Sequence, residues 1–314
     1  MIYKYIDGVP VSSIILGTDY YSCNTLGEKT CFKLYDMFTE LGGNHIDTAR
    51  LYEQGESEQI LGRWLKNQGR DKIYIATKGA HPPLDNMNFS RLTREEIKKD
   101  LEASLSALSL DYIDLYWLHR DNKSADAGEV IEIMNELVKE GKIRSFGCSN
   151  WKGERIKEAN DYAKAHKLKG FSASQIKWSL AKTSDSYTDD PTLVEMNDCE
   201  YEFYKTEEIP VAAFASQGKG FFSKLYSGGI EALSEKAKDR YLCEENLRRF
   251  ERIKILAEKY NTSVGAIVVS WIASNNDLTA MPIIGSKTEA QLSDSLKAAE
   301  IMLTPEEIQY CISD

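Results

Sequence analysis

Short β-branched and apolar runs alternate along the chain with longer segments in which apolar residues recur every three or four positions. The short runs predict strands, and the longer segments predict amphipathic helices. A hairpin is predicted over residues 2–13, with its turn at Asp7-Gly8. Eight further strands are predicted after it, at residues 14–17, 44–47, 73–78, 113–119, 145–149, 171–175, 211–214 and 281–285.

The segments between these strands carry helix signals of their own. Thr93 and Glu96 form a capping-box pattern, and a second apolar stripe, over residues 130–138, is followed by Gly141 as a helix stop. Strands that alternate with helices predict a parallel sheet, and a count of eight favours a closed barrel over an open doubly wound sheet. The predicted fold is therefore α/β, a (β/α)8 TIM barrel with an N-terminal β-hairpin. We expect a single domain over residues 1–314.

Two common nucleotide-binding motifs are missing from the sequence. After the first barrel strand the chain has Gly17-Thr18-Asp19-Tyr20 rather than G-x-G-x-x-G, and G-x-x-x-x-G-K-[ST] occurs nowhere. Two segments, 179–208 and 215–245, follow strands but show no clear periodicity. We expect both to be loops that cover the mouth of the barrel or bind a ligand there.

Composition and charge narrow the class of protein. With 39 Lys and Arg against 49 Asp and Glu, the formal net charge of −10 repels nucleic acid and anionic membranes, so we expect neither as a partner. The six cysteines have no C-x-x-C spacing, and the N-terminus has no signal-peptide pattern. These features predict a cytoplasmic protein with reduced thiols and no membrane segment. No pattern in the sequence indicates a particular oligomeric state.

The predicted strands end in polar residues. Asp47, Lys78 and His119 close three successive strands, and Tyr52 follows Asp47 by five residues. Active sites of α/β barrels are assembled at the carboxyl ends of the strands. The sequence therefore predicts an enzyme site at this end of the barrel.

Several motifs, in this order along the chain, resemble those of the aldo-keto reductase family. They are His45-Ile46-Asp47-Thr48-Ala49 with Tyr52, Gly55-Glu56-Ser57-Glu58, Ile75-Ala76-Thr77-Lys78, residues 111–116 with His119, residues 139–144 and residues 147–150. The resemblance covers essentially the whole chain. It implies an oxidoreductase that reduces an aldehyde or ketone to an alcohol by hydride transfer from NAD(P)H.

Carbonyl reduction needs a proton donor for the developing alkoxide, and a tyrosine with its ordinary pKa of about 10 is a weak acid at neutral pH. A neighbouring ammonium lowers that pKa, and a carboxylate keeps the ammonium charged. The resemblance implies that Tyr52 is the acid and that Lys78 and Asp47 form this tuning pair. It also implies that His119 hydrogen-bonds the substrate carbonyl and orients it.

The resemblance further implies a nicotinamide cofactor across the mouth of the barrel. Besides Asp47, the matching positions are Gly17, Thr18, Ser149, Asn150, Gln175, Phe214, Ala215, Ser216, Gln217, Gly218, Lys219, Gly220, Gly285, Ser286, Lys287, Gln291 and Ser295. Phe214 stands where the family usually has a tyrosine stacked on the nicotinamide. Gln291 stands where many relatives have an arginine for the 2′-phosphate, but Lys287 and a helix N-terminus remain to bind this dianion. We therefore favour NADP(H) over NAD(H).

The predicted substrate residues are Asp19, Tyr20, Arg120 and Trp151. Relatives that reduce hydrophobic aldehydes carry tryptophan at the positions that match Asp19 and Arg120. An acid and a guanidinium there predict a polar carbonyl substrate, such as a sugar-like compound or a small dicarbonyl. His81, in the loop after Lys78, is expected to be an exposed residue.

Two alternatives use the same features differently. His45, Asp47 and His119 are of the types that hold a metal ion in barrel hydrolases, although Lys78 and Tyr52 then have no role. We predict no metal site. A barrel of this family also serves as a cofactor-sensing regulatory subunit in the potassium-channel β subunits, which leaves a regulatory role as the second alternative.

Overall fold

The structure, a computed structural model, describes residues 1–313. It begins with an antiparallel hairpin of β1 (Tyr3–Ile6) and β2 (Val9–Ser12). Asp7 and Gly8 have positive φ angles of 48° and 76°, which is the backbone that a two-residue hairpin turn of type I′ requires. The predicted hairpin is confirmed. Its side chains Ile6 and Val11 are fully buried and belong to the apolar cluster inside the barrel.

Eight parallel strands follow and close into a barrel. They are β3 (Ile15–Gly17), β4 (His45–Asp47), β5 (Tyr74–Gly79), β6 (Ile113–Leu118), β7 (Ile143–Ser149), β8 (Ser174–Lys177), β9 (Val211–Phe214) and β10 (Ala280–Ile284). The order around the barrel is β10-β3-β4-β5-β6-β7-β8-β9. The predicted strands and the predicted closed barrel are confirmed. β8 begins three residues later than predicted, and Phe171, which precedes it, packs against Phe146 and Trp151.

Twelve α-helices are found within residues 1–313. They are α1 (Glu28–Glu40), α2 (Glu56–Leu65), α3 (Arg94–Leu108), α4 (Ala127–Lys139), α5 (Gly153–Ala165), α6 (Asp198–Glu207), α7 (Phe221–Gly228), α8 (Glu235–Tyr241), α9 (Glu244–Lys259), α10 (Val264–Ala273), α11 (Glu289–Leu296) and α12 (Pro305–Ile312). The expectation of loops over 179–208 and 215–245 is wrong in part, since α6, α7 and α8 lie there. These helices have ten residues or fewer, too few for a clear apolar period.

The start of α3 follows only half of the predicted capping box. The Thr93 side chain accepts the backbone N–H of Glu96, as predicted. The Glu96 carboxylate, however, pairs with Arg91 at 2.5 Å instead of returning to the Thr93 backbone. This pairing fixes Arg91 beside the loop that follows β5.

The barrel is filled with side chains. One apolar cluster, which includes Tyr74, Leu115, Trp117 and Met281, occupies its interior, and a larger cluster lies between the strands and the helices. Because the interior is packed, a ligand is accommodated only above it, at the carboxyl ends of the strands. No helix within residues 1–313 has both the length and the apolar character needed to cross a membrane.

Candidate active site

A cleft of about 920 Å³ lies at the carboxyl ends of the barrel strands. Nearly all the residues predicted for catalysis, cofactor and substrate line it. The exceptions are Lys78, Gly218, Ser286 and Trp151. The polar ends of the strands therefore come together at one cleft, and the roles given to these residues stay predictions.

Lys78 lies directly beneath the cleft, with 1% of its surface exposed. Its ammonium donates to Asp47 Oδ2 at 2.5 Å, to the Thr48 carbonyl at 2.9 Å and to the Tyr52 hydroxyl at 2.9 Å. An ammonium has three N–H bonds, so all of them are used. The three partners fix the position of Lys78 and place its charge against the phenol of Tyr52.

Asp47 is held from its other side by two further donors. Its Oδ1 accepts the indole N–H of Trp117 at 3.1 Å and the amide N–H of Gln175 at 3.0 Å. The contact with Trp117 was not predicted, although the sequence carries a signal for it. Trp117 lies two residues before His119, and alternate residues of a strand face the same side.

Tyr52 reaches the cleft through an unusual turn. The three residues after it, Glu53, Gln54 and Gly55, have positive φ angles of 46°, 57° and 92°. The Glu53 carboxylate accepts hydrogen bonds from the hydroxyls of Ser22, at 2.7 Å, and Thr25, at 3.1 Å. These bonds stabilise a backbone that is unfavourable for non-glycine residues. The turn directs the Tyr52 hydroxyl towards Lys78.

Burial controls the protonation of these groups. It raises the pKa of Tyr52 above its ordinary value, and Lys78 opposes only part of that rise, so the expected net lowering does not occur. Burial by itself would lower the pKa of Lys78, but Asp47 and Tyr52 reverse this and hold it above its ordinary value. At neutral pH the site therefore contains a protonated phenol next to an ammonium.

His119 is neutral and presents one nitrogen to the cleft. Burial, followed by the charges of Lys78 and Arg120, lowers its pKa well below the ordinary value. Its Nδ1 is buried and has no hydrogen-bond partner within residues 1–313. An unpaired buried N–H is rarer than an unpaired acceptor, which favours the tautomer with the proton on Nε2. His119 then has a donor available for a ligand oxygen.

The segments predicted to hold the cofactor come together on the β7 to β10 side. Gln217 donates to the Ser295 hydroxyl at 3.0 Å, and the Gln291 side chain accepts the Lys287 backbone N–H at 2.9 Å. Four residues of the loop after β9 have positive φ: Ala215, Gly218, Lys219 and Gly220. Such a loop forms a concave backbone that presents N–H groups to an anion.

Basic side chains gather at this side of the cleft. Lys219 and Lys287 were predicted, and the structure adds Lys224, Lys236 and Arg240. The hydroxyls of Thr18 and Ser286 are buried and have no partner within residues 1–313. A cleft with local positive charge, a concave backbone loop and free hydroxyls fits a phosphate-bearing dinucleotide, in spite of the negative net charge of the chain.

The loop between β8 and α6 is fastened over the cleft by ion pairs. Lys177, almost fully buried, donates to Asp189 at 3.1 Å and to Glu195 at 2.9 Å, and Arg240 also pairs with Asp189. Burial by itself would raise the pKa of Asp189, but Lys177 and Arg240 hold it below its usual range. Tyr187 and Asp189 of this loop line the cleft, as expected for a segment at the barrel mouth.

Two side chains lie elsewhere than expected. Trp151 does not reach the cleft: it is fully buried against Phe171, with Arg155 over its ring, so the substrate role predicted for it has no support. Asn150, with a φ of 59°, turns the chain so that Trp151 packs in the outer core. His81 was expected to be exposed, but it is 7% exposed and lines the cleft.

Asp19 and Tyr20 line the cleft near β10. Asp19 faces Gly285, and burial raises the pKa of its carboxyl group. Lys287 lies over the ring of Tyr20 at 4.2 Å. Both residues are thus neighbours of the segments predicted for the cofactor, whereas Arg120 lies on the opposite side, where it donates to Thr192 at 3.1 Å.

The residues proposed for a metal site in the hydrolase alternative do not form one. Within residues 1–313, no three His, Cys, Asp or Glu side chains come close enough to hold an ion. His45 packs against the ring of Tyr74 inside the barrel, and burial lowers its pKa to about 3. A neutral, enclosed imidazole is a packing residue of the barrel.

The mouth of the barrel holds three side chains linked by hydrogen bonds, Asp47, Lys78 and Tyr52, beside the neutral His119. This arrangement is that of barrel oxidoreductases that act on carbonyl groups. The model of the aldo/keto reductase family matches residues 13–313. The chain belongs to this family. It is accordingly an oxidoreductase that reduces carbonyl compounds with a nicotinamide cofactor.

Similar proteins cover almost the whole chain. The uncharacterized oxidoreductase YrpG of Bacillus subtilis is 31% identical over 98% of this chain and 93% of its own length. A probable voltage-gated potassium channel β subunit of Oryza sativa is 26% identical, over 95% and 91%. Norsolorinic acid reductase of Emericella nidulans is 29% identical, over 98% and 79%. A thermostable aldo-keto reductase crystallised with the inhibitor epalrestat shares the fold, with a TM-score of 0.74 and 24% identity, over 100% of this chain and 99% of that one.

Proposed function

We propose that the protein reduces a small polar aldehyde or ketone, with NADPH preferred over NADH. Tyr52 donates the proton, Lys78 stabilises the phenolate that Tyr52 becomes, and Asp47 keeps Lys78 charged. His119 orients the carbonyl. The observation that carries this proposal is the buried chain from Asp47 through Lys78 to the Tyr52 hydroxyl, with contacts of 2.5 and 2.9 Å.

Each residue of this chain has a chemical task. A nicotinamide cofactor held by the segments after β7 to β10 would supply the hydride to the carbonyl carbon, and negative charge would then develop on the carbonyl oxygen. The Tyr52 hydroxyl donates its proton to that oxygen, and the Lys78 ammonium stabilises the phenolate that remains. Asp47 keeps Lys78 charged in a buried position where it would otherwise lose its proton. The N–H of His119 fixes the carbonyl oxygen beside Tyr52.

The preference for NADPH rests on the end of the cleft near α11. A 2′-phosphate carries two negative charges, and the N-terminus of a helix offers unpaired N–H groups and a positive dipole end. Lys287 precedes α11 and lines the cleft, and the Ser286 hydroxyl beside it is buried and unpartnered within residues 1–313. The side-chain oxygen of Gln291 accepts a hydrogen bond from the Lys287 backbone N–H, and this bond fixes the segment before α11.

A polar substrate is favoured by the side chains near Tyr52. His81, His119 and Arg120 line the cleft at the ends of β5 and β6. A hydrophobic aldehyde would leave the nitrogens of His81 and His119 that face the cleft without partners, which is costly.

The similarity to a potassium channel β subunit makes a cofactor-sensing regulatory subunit the second candidate. One experiment separates the two. Protein fluorescence is titrated with NADPH and with NADH, and NADPH consumption is then followed with sugars, keto acids and aromatic aldehydes. The proposal expects tighter binding of NADPH and turnover of the polar carbonyls. Binding of NADPH without turnover of any carbonyl supports the regulatory role, and absence of binding contradicts both.

A further inference from the structure

His81 is a buried polar residue near the reacting groups that the proposed mechanism does not use. Most of the residues predicted for the cofactor lie at the ends of β7 to β10, whereas Tyr52, His81 and His119 follow β4, β5 and β6. The ring centre of His81 lies 4.6 Å from that of His119, and the two rings meet edge to face at 76°. His81 therefore borders the space into which His119 presents its donor.

The backbone around His81 is held in an unfavourable conformation. Ala80 has a φ of 56°, and its N–H donates to Asp100 Oδ2 at 2.8 Å. Arg91 donates to the His81 carbonyl at 3.0 Å and to Asp100 Oδ1 at 2.8 Å. A left-handed alanine persists only where its surroundings fix it, and such strain is concentrated at functional sites. This clamp turns the His81 side chain into the cleft.

The hydrogen bond of His81 determines which nitrogen carries its proton. Nδ1 lies 2.6 Å from the Pro82 carbonyl, which can only accept, so Nδ1 is the donor. Burial lowers the pKa of the ring; the hydrogen bond to the Pro82 carbonyl and the charge of Asp190 oppose this in part, and Arg120 and Arg91 add to it, so the ring is neutral at neutral pH. Nε2 is then the acceptor of the ring.

A donor and an acceptor thus stand side by side. When His119 donates to the carbonyl oxygen, a ring centred 4.6 Å from that of His119 is close enough to reach a group on the neighbouring carbon. A hydroxyl group there donates to Nε2, whereas the second oxygen of a dicarbonyl can only accept and would meet a lone pair.

We propose that His81 is a specificity-determining residue that accepts a hydrogen bond from a hydroxyl group next to the substrate carbonyl. The protein then selects α-hydroxy aldehydes and ketones, the class that includes open-chain sugars, over dicarbonyls. This inference rests on the proposed function and narrows its substrate class.

The test compares lactaldehyde with isobutyraldehyde, which has a methyl group in place of the hydroxyl. The kcat/KM for each is measured with NADPH for the wild type, His81→Phe and His81→Gln. Phenylalanine keeps the edge-to-face packing on His119 and removes the acceptor, and glutamine supplies an amide oxygen near the position of Nε2. Thermal unfolding of each variant shows whether it is folded.

We expect the wild type to prefer lactaldehyde. In His81→Phe the kcat/KM for lactaldehyde should fall roughly ten- to a hundred-fold, and that for isobutyraldehyde by less than roughly threefold. His81→Gln should recover most of the preference. An equal fall for both substrates in His81→Phe, or a wild type that reduces both equally well, would overturn the inference while leaving the proposed function intact.

Turnover of neither aldehyde, together with no turnover of the sugars and keto acids named above, would contradict the proposed function itself. The role of His81 is then decided by calorimetry on the protein with bound NADP+, titrated with propylene glycol or with isobutanol. Tighter binding of the diol that is lost in His81→Phe supports the inference. Equal binding of the diol by the wild type and His81→Phe overturns it.

Discussion

Removing the carboxylate of Asp47 should lower the free energy of unfolding, because the Lys78 ammonium then stays buried without its charged partner. Lys78 and Asp47 have side chains that are 1% and 3% exposed, with Nζ and Oδ2 at 2.5 Å. Breaking such a pair by removing one partner costs about 3–5 kcal/mol, because the other charge stays buried and unpaired. We therefore expect Asp47→Asn to lower the free energy of unfolding by about this amount at pH 7.

The matched variant Lys78→Met should cost less, because the Asp47 carboxylate keeps the N–H donors of Trp117 and Gln175. In the double variant no charge is left unpaired, so the loss should be smaller than the sum of the single losses by at least about 2 kcal/mol. Urea unfolding of the four proteins measures this coupling. Losses that add to within about 0.5 kcal/mol would refute the argument that the pair acts as a unit.

The pH dependence of Asp47→Asn follows with a definite sign. Without Asp47, burial dominates and the pKa of Lys78 in the folded state falls below its unfolded value. The unfolded chain then binds more protons between the two pKa values, so the stability of the variant rises with pH in that window. The deficit relative to the wild type should shrink as the pH is raised from 7 towards about 9.5. A deficit that is constant with pH would contradict this.

Three further predictions concern other parts of the site and barrel. Lys287→Ala should weaken NADPH binding by roughly tenfold in a fluorescence titration and leave NADH binding unchanged; equal effects on both would place Lys287 away from the 2′-phosphate. Trp117→Phe removes one donor from a buried carboxylate and should lower the free energy of unfolding by about 2 kcal/mol, measured in urea, whereas a loss below about 0.5 kcal/mol would show that the bond is dispensable. His45 has a pKa of about 3 in the folded protein and about 6.5 in the unfolded chain, so its neutral form contributes fully to stability above about pH 6.5. As the pH falls from there towards 3, the free energy of unfolding should drop by up to about 1.4 kcal/mol per pH unit. His45→Phe should flatten this acid-side slope, and the exposed His166→Gln, as the control, should not.

The strands and the residues at their ends could be predicted because both depend on local signals. Asp47, Lys78 and His119 each end an apolar run, and parallel strands bring their carboxyl ends to one side of the barrel. The chain order of these motifs was enough to place Tyr52 with them. Alternation along β6 puts Trp117 on the same side as His119, but the contact of Trp117 with Asp47 joins two strands, and the alternation does not show which side chain the indole N–H meets.

Both misplaced side chains follow a residue with positive φ. Ala80 precedes His81, and Asn150 precedes Trp151, so strand alternation fails at each of these points. Asparagine tolerates this conformation and offers a weak sequence signal, but alanine gives none. The conformation of Ala80 is imposed by Asp100 and Arg91, which are distant in sequence. The balance between burial and Lys78 at the Tyr52 phenol likewise depends on packing that the sequence does not state.

The most direct test of the account is the rate of NADPH consumption by Tyr52→Phe, measured with a carbonyl substrate that the wild type reduces. The phenyl ring keeps the packing and loses only the proton donor beside Lys78. We predict a kcat reduced by a factor of at least about a hundred, with the affinity for NADPH within about threefold of the wild type. A Tyr52→Phe variant that turns over at close to the wild-type rate would contradict the claim that Tyr52 is the acid of the reaction.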